Sequence, residues 1–192
     1  MFAVVIGGPN AGKSALLREL ALDGYPVMKE VAEEVIIEGN HKPWLGDDAQ
    51  LQFQEEVARR QWLYESALAS NDELVLLDRG LLDAIAYRLI YGRRLTALHS
   101  RLTASHYQVA FLMDPVEKWD DNGVRYEDPD FTREMTATSK WLYESVGVDV
   151  ISVPFMNTLQ QRVDYVHGFL DRFPQPKRQV RNMKPVNWLQ AA

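Results

Sequence analysis

Gly7-Gly8-Pro9-Asn10-Ala11-Gly12-Lys13-Ser14 satisfies G-x-x-x-x-G-K-[ST] at every fixed position. The five residues before it, Phe2-Ala3-Val4-Val5-Ile6, are apolar and rich in β-branching, as a buried strand requires. After it, Ala15, Leu16, Leu17, Leu20 and Ala21 recur at helical spacing, and Gly24 stands where a helix ends. Strand, glycine loop and helix in that order give the octet its meaning. Backbone N–H groups of such a loop converge on an anion at a helix N-terminus. Nucleotide contact is therefore expected from Gly8, Pro9, Asn10, Ala11, Gly12, Lys13, Ser14 and Ala15. The Lys13 ammonium is expected at the β and γ phosphates, and the Ser14 hydroxyl at Mg²⁺.

Working outward, apolar runs and helical patterns alternate. Strands are predicted over 2–6, 25–29, 74–77, 107–113 and 148–153. Helices are predicted over 13–22, 31–38, 47–69, 81–91, 95–103, from about 131 to 146, and from 159 to 173. Asp47 or Asp48 is read as the cap of the long third helix, and Asn157 as the cap of the last. The segment 116–130 is rich in charge and turn residues and is read as a lid. Five strands separated by helices predict an α/β fold with a parallel sheet covered on both faces.

Composition narrows the function classes. The chain has 192 residues, 46% apolar and 25% charged, which suits one α/β domain with a sizeable core. A net charge of −6 argues against broad nucleic-acid binding. There is no cysteine, so disulfides and thiolate metal sites are excluded, and a cytoplasmic location is expected. No apolar run approaches a membrane span and no signal-peptide pattern opens the chain. His41, His99, His106 and His167 are scattered with no H-x-x-x-H spacing, which argues against a dedicated transition-metal site. The guanine-reading N-K-x-D motif is absent.

In parallel sheets ligands sit beyond the carboxyl ends of the strands. Asp78-Arg79 closes the third apolar run. The Asp78 carboxylate there holds Mg²⁺ or caps a helix, and the Arg79 guanidinium grips a phosphate or positions a phosphoryl acceptor. Asp83 and Tyr87 follow on the same helical side as Arg79. Glu30 follows the second strand and is either a general base or a solvated glutamate. Gln61 interrupts the stripe Phe53, Val57, Tyr64, Leu68, where it either reads the edge of a planar ligand or borders the core. Arg125, in the lid, either neutralises transferring charge or is solvated, and Arg133 is a second candidate. Phe155 or Met156 is placed to pack on a base.

The order of Gly7–Ser14, Gly24-Tyr25-Pro26-Val27, Glu30, Gln61, Leu77-Asp78-Arg79-Gly80, Asp83, Tyr87, Asp114-Pro115, Gly123-Val124-Arg125 and Val153-Pro154 resembles a family of P-loop ATP-binding proteins. That family is related to the nicotinamide-riboside kinase domain and, more distantly, to nucleoside and nucleotide kinases. The resemblance spans about 2–173. It implies a three-layer P-loop fold with strand order 2-3-1-4-5, ATP with Mg²⁺, and a kinase-like domain over 1–173, with 174–192 a tail. It implies catalysis by Lys13, Glu30, Asp78, Arg79 and Arg125, and metal contact by Ser14 and Asp78. Substrate contact is implied for Glu30, Gln61, Arg79 and Asp83. The expected reaction is transfer of the γ-phosphoryl of ATP to a hydroxyl of a nucleoside-like metabolite. The alternative is a nucleotide-binding regulator or slow ATPase without such an acceptor. A small molecule is the expected partner, not nucleic acid or membrane.

Overall fold

The computed structural model describes residues 1–9, 11–69, 73–93, 107–114 and 129–174. Five strands form one sheet in the order β2-β3-β1-β4-β5, as the resemblance implies. They are β1 Phe2–Ile6, β2 Val27–Met28, β3 Val75–Asp78, β4 Tyr107–Met113 and β5 Asp149–Val153. Every pairing is parallel.

The central strand shows why two helical layers form. Successive side chains of a strand point to opposite faces. Phe2, Val4 and Ile6 therefore join one core with Leu82, Ile85, Leu112 and Tyr143. Ala3 and Val5 join the other with Leu16, Leu20, Phe111, Val163 and Val166. Helices α1 Lys13–Leu22 and Leu159–Leu170 thus cover one face, and Leu81–Ile90 and Pro129–Ser145 cover the other. The remaining pair, α2 Val31–Ile37 and α3 Asp47–Leu68, pack through Val31, Val35 and Phe53. In chain order Leu81–Ile90 is α4, Pro129–Ser145 is α5 and Leu159–Leu170 is α6.

Some local expectations change. β2 is confined to two residues, paired to β3 at the sheet edge. Gly46, not Asp47 or Asp48, is the N-cap of α3; both aspartates lie in its first turn, where they complement the helix dipole. Thr158, not Asn157, caps α6, accepting from the Gln161 N–H in a capping box. Asp130, placed in the lid by composition, belongs to the first turn of α5. The predicted helix at 95–103, the rest of the lid including Arg125, and the tail from 175 lie outside the described residues. Among the described residues no helix is long and apolar enough to cross a membrane.

Candidate active site

β1 leads directly into the glycine loop at the carboxyl edge of the sheet. Gly12 is the N-cap of α1, and no described side chain caps that helix, so its first N–H groups remain available to a ligand. Lys13 is buried and donates from Nζ to the Gly8 carbonyl at 2.9 Å. Burial, and then the neighbouring Arg79 guanidinium, lower its pKa to about 8. A polyphosphate in the loop supplies the countercharge that favours the ammonium. Gly8 cannot be larger: a Cβ there would stand 2.2 Å from Thr132 Cγ2 of α5. Asn10 lies outside the described residues. Pro9, Gly12, Lys13, Ser14 and Ala15 all line one cavity of about 1040 Å³.

Asp78 lines the same cavity from the end of β3. Its Oδ2 accepts from Ser14 Oγ at 2.8 Å. Its Oδ1 is buried without a hydrogen-bond partner among the described residues. The N-cap of α4 is Gly80, so Asp78 is not a helix cap. Burial raises its pKa, partly offset by Lys13. A buried, unpartnered carboxylate oxygen is costly in isolation. Beside a loop hydroxyl it would supply part of the oxygen set that a hard cation requires. The residues present therefore fit Mg²⁺. No group of three or more His, Cys, Asp or Glu that could hold a metal occurs among the described residues.

Arg79 departs from regular backbone with φ 68°, the one non-glycine positive φ among the described residues. That turn sends its side chain back across the strand ends. Nε donates to Glu30 Oε1 at 2.9 Å, and Nη1 to the Gly7 carbonyl at 3.3 Å. The guanidinium also lies 5.7 Å from the Tyr87 ring centroid, on the side the helical spacing indicated. Glu30 occupies the N-cap position of α2 and is the more exposed partner, its side chain 28% accessible against 11% for Arg79. Its carboxylate is thus brought, across the sheet end, to the phosphate loop.

Gln61 and Asp83 also line the cavity, but both are heavily engaged. Gln61 Nε2 donates to Glu65 Oε1 at 2.8 Å and to the Arg79 carbonyl at 3.2 Å. Asp83 accepts from the Gly80 N–H, Ser139 and Tyr143, which anchors the start of α4 to α5. Gly80 is required there, since a Cβ would stand 2.6 Å from the hydroxyls of both Tyr107 and Tyr143. Arg133 is exposed at the start of α5 and pairs with Asp130.

Two residues of the site escaped the sequence reading. Glu65 is buried and accepts from Tyr107 and the Leu81 N–H as well as Gln61. Burial raises its pKa to about 7, while those donors pull the other way. Its signal was spacing: it follows Gln61 by one helical turn. Arg162, on the apolar side of α6, donates to the carbonyls of Ala11 at 2.8 Å, Asp114 at 3.1 Å and Pro154 at 3.2 Å. It ties the phosphate loop to the ends of β4 and β5, and its guanidinium lies 5.5 Å from the Phe155 ring. An arginine beside the stripe Leu159, Val163, Val166 was the available clue.

Fold and loop together define a P-loop protein with a site shaped for a polyphosphate. A family model described as an AAA domain matches residues 2–162, and the chain belongs to that family. No curated protein matches the sequence. Among solved structures, the chain is similar to the NadR protein in complex with NR, with TM-score 0.67 and 17% identity over 94% of this chain and 54% of that one. It therefore spans about half the length of NadR. It is similar to deoxyadenosine kinase from M. mycoides with bound dATP, TM-score 0.64 and 13% identity, covering 89% of this chain and all (100%) of that one. Thymidylate kinase from Ehrlichia chaffeensis gives TM-score 0.61 and 16% identity over 88% and 98%. At such identities the likeness is one of fold.

Proposed function

We propose that the protein is an ATP-dependent, Mg²⁺-assisted kinase acting on a hydroxyl of a nucleoside-like small molecule. One observation carries the reading: a single cavity joins the phosphate loop to the Glu30–Arg79 pair and to apolar walls from Trp44, Phe53 and Tyr87. The loop alone would suit any nucleoside triphosphatase. The added carboxylate, guanidinium and aromatic surface suit a second, planar substrate. The neighbours include a deoxyadenosine kinase and a thymidylate kinase, which agrees with a substrate of that size.

In this reading the loop N–H groups and Lys13 bind the polyphosphate of the donor. Ser14 and Asp78 would hold Mg²⁺, which would supply positive charge to offset that of the donor phosphates. The substrate hydroxyl oxygen forms the new P–O bond as the bond between the γ phosphorus and the bridging oxygen breaks, releasing ADP. Glu30 receives the hydroxyl proton. Its place at the cavity, unlike that of the deeper Asp78, leaves it accessible to that hydroxyl. Arg79 orients Glu30 and offers charge to the transferred group, and Arg125, which lies outside the described residues, is assigned a share in neutralising that charge by its place in the sequence. Gln61 contacts the substrate ring, and Asp83 borders it while holding α4 in place. Most of the acceleration comes from alignment and charge, since phosphoryl transfer needs little covalent help.

The test is incubation with γ-labelled ATP and a panel of nucleosides and vitamin-like alcohols. Label on an organic product is expected. Label released solely as inorganic phosphate would instead assign a slow ATPase or nucleotide-driven regulator.

A further inference from the structure

Gln61 is buried at the cavity wall, and the two ends of its amide are not equivalent. The nitrogen donates to Glu65 Oε1 at 2.8 Å and to the Arg79 carbonyl at 3.2 Å. A primary amide nitrogen carries two hydrogens, so both are spent. The opposite flip is unavailable, because a backbone carbonyl accepts and never donates. This holds whatever the charge on Glu65. Glu65 is itself pinned by the Tyr107 hydroxyl at 2.7 Å and the Leu81 N–H at 3.2 Å. It is therefore no mobile partner that a ligand could push aside. The amide oxygen, by contrast, accepts nothing from the described residues. Among those residues a sealed, unpartnered side-chain oxygen or nitrogen occurs at Asp78 alone, so Gln61 Oε1 is open to the cavity. Phe53 and Tyr87 line that cavity as well, walls suited to a flat ring.

We infer that Gln61, locked by Glu65 and the Arg79 carbonyl, meets the substrate with its oxygen alone and selects planar rings that present an N–H there. The inference rests on the kinase reading above and sharpens its substrate class. A free glutamine reads a ring edge with both ends, accepting from an N–H and donating to the neighbouring ring nitrogen or carbonyl. The locked one reads the N–H and is blind to its neighbour. A ring without the N–H leaves a desolvated oxygen unpaired, which a polar site penalises strongly. Glu65 is thus a positioning residue: it touches no substrate and acts through Gln61.

Two measurements on the full chain test this. In ¹⁵N-edited NMR, with the Gln61 side-chain signals assigned by their loss in Gln61→Leu, both amide hydrogens should exchange far more slowly than those of exposed glutamines. Exchange as fast as an exposed glutamine overturns the lock, and this reading needs no Glu65 variant to fold. In Glu65→Leu one of the two should become fast, whereas Glu65→Gln, which keeps an acceptor oxygen, should retain both. Phosphoryl transfer is then compared for adenosine, 1-deazaadenosine and purine riboside, and for uridine and N3-methyluridine. Within each series, 1-deazaadenosine should match adenosine within about twofold. Purine riboside and N3-methyluridine should lose about 10- to 100-fold in kcat/KM relative to their parents. Equal losses for 1-deazaadenosine and purine riboside overturn the selection. Protected amide hydrogens with no transfer to any of the five would overturn the nucleoside-kinase reading and the ring selection together, and leave the lock standing.

Discussion

One wall of the cavity comes from a short stretch of chain, through Pro9, Gly12, Lys13, Ser14 and Ala15, whereas the facing wall is assembled from Glu30, Gln61, Asp78 and Arg79, the first and last 49 residues apart. The loop offers a ligand backbone N–H groups, whose directions follow from local turns and the start of α1. The facing wall uses side chains, each aimed by a contact from another element. Arg79 depends on a left-handed backbone, and Gln61 depends on Glu65. In the proposed function the loop is consequently specific for a common chemical group, the polyphosphate. The facing wall holds what is particular to this protein, and a small change in one support re-aims several groups.

If that division is correct, damage on the two sides separates into different measurements. The largest effect is expected from Glu30→Gln. It should cut kcat about 10²- to 10⁴-fold while ATP affinity by calorimetry stays at the parent value. Unchanged turnover would move the base role to Asp78. Next comes Lys13→Ala on the loop side, which should weaken ATP binding by about 3 kcal/mol, roughly 100-fold. Its melting temperature should not fall, because the ammonium removed is one that burial disfavours. Parental nucleotide affinity in this variant would break the loop assignment.

Gly80→Ala is a support lesion on the facing side. Its Cβ would crowd the Tyr107 and Tyr143 hydroxyls at 2.6 Å, so about 1–3 kcal/mol of stability should be lost in urea unfolding. The surviving folded protein should bind ATP normally. The smallest effect is a pH dependence confined to the loop. Lys13 is fully protonated only well below its pKa of about 8, and there ATP affinity should be flat with respect to this group. Above that pH the free protein must take up a proton to bind the polyphosphate. Affinity should then fall by up to about tenfold per pH unit. In Lys13→Ala this slope should vanish, and its persistence would point to another titrating group.

Legibility in the sequence follows the same division. β1, α1 and the octet are contiguous, and their apolar periods and glycines state the structure locally. The ends of β3 and β4 were readable for the same reason, as apolar runs closing at Asp78 and at Asp114. Caps were less legible. Asn157 and Thr158 are both good cap residues in isolation, and the Gln161 side chain settles the matter by completing a box with Thr158. Gln61 stood out because it breaks an apolar stripe. Nothing in that stripe reveals that its nitrogen is consumed by Glu65 and by a carbonyl 18 residues away.

What the chain determines by itself, then, is the phosphate loop, the alternation of strands and helices, and the acidic and basic residues at strand ends. These depend on neighbours within a few positions, where backbone geometry and side-chain period are nearly fixed. Tertiary structure alone decided that Arg79 turns back onto Glu30, that Arg162 ties the phosphate loop to the ends of β4 and β5, and that Gln61 faces its cavity with one end. Each of those outcomes is a competition among donors and acceptors far apart in sequence. Burial resolves it, by making every unpaired polar atom costly.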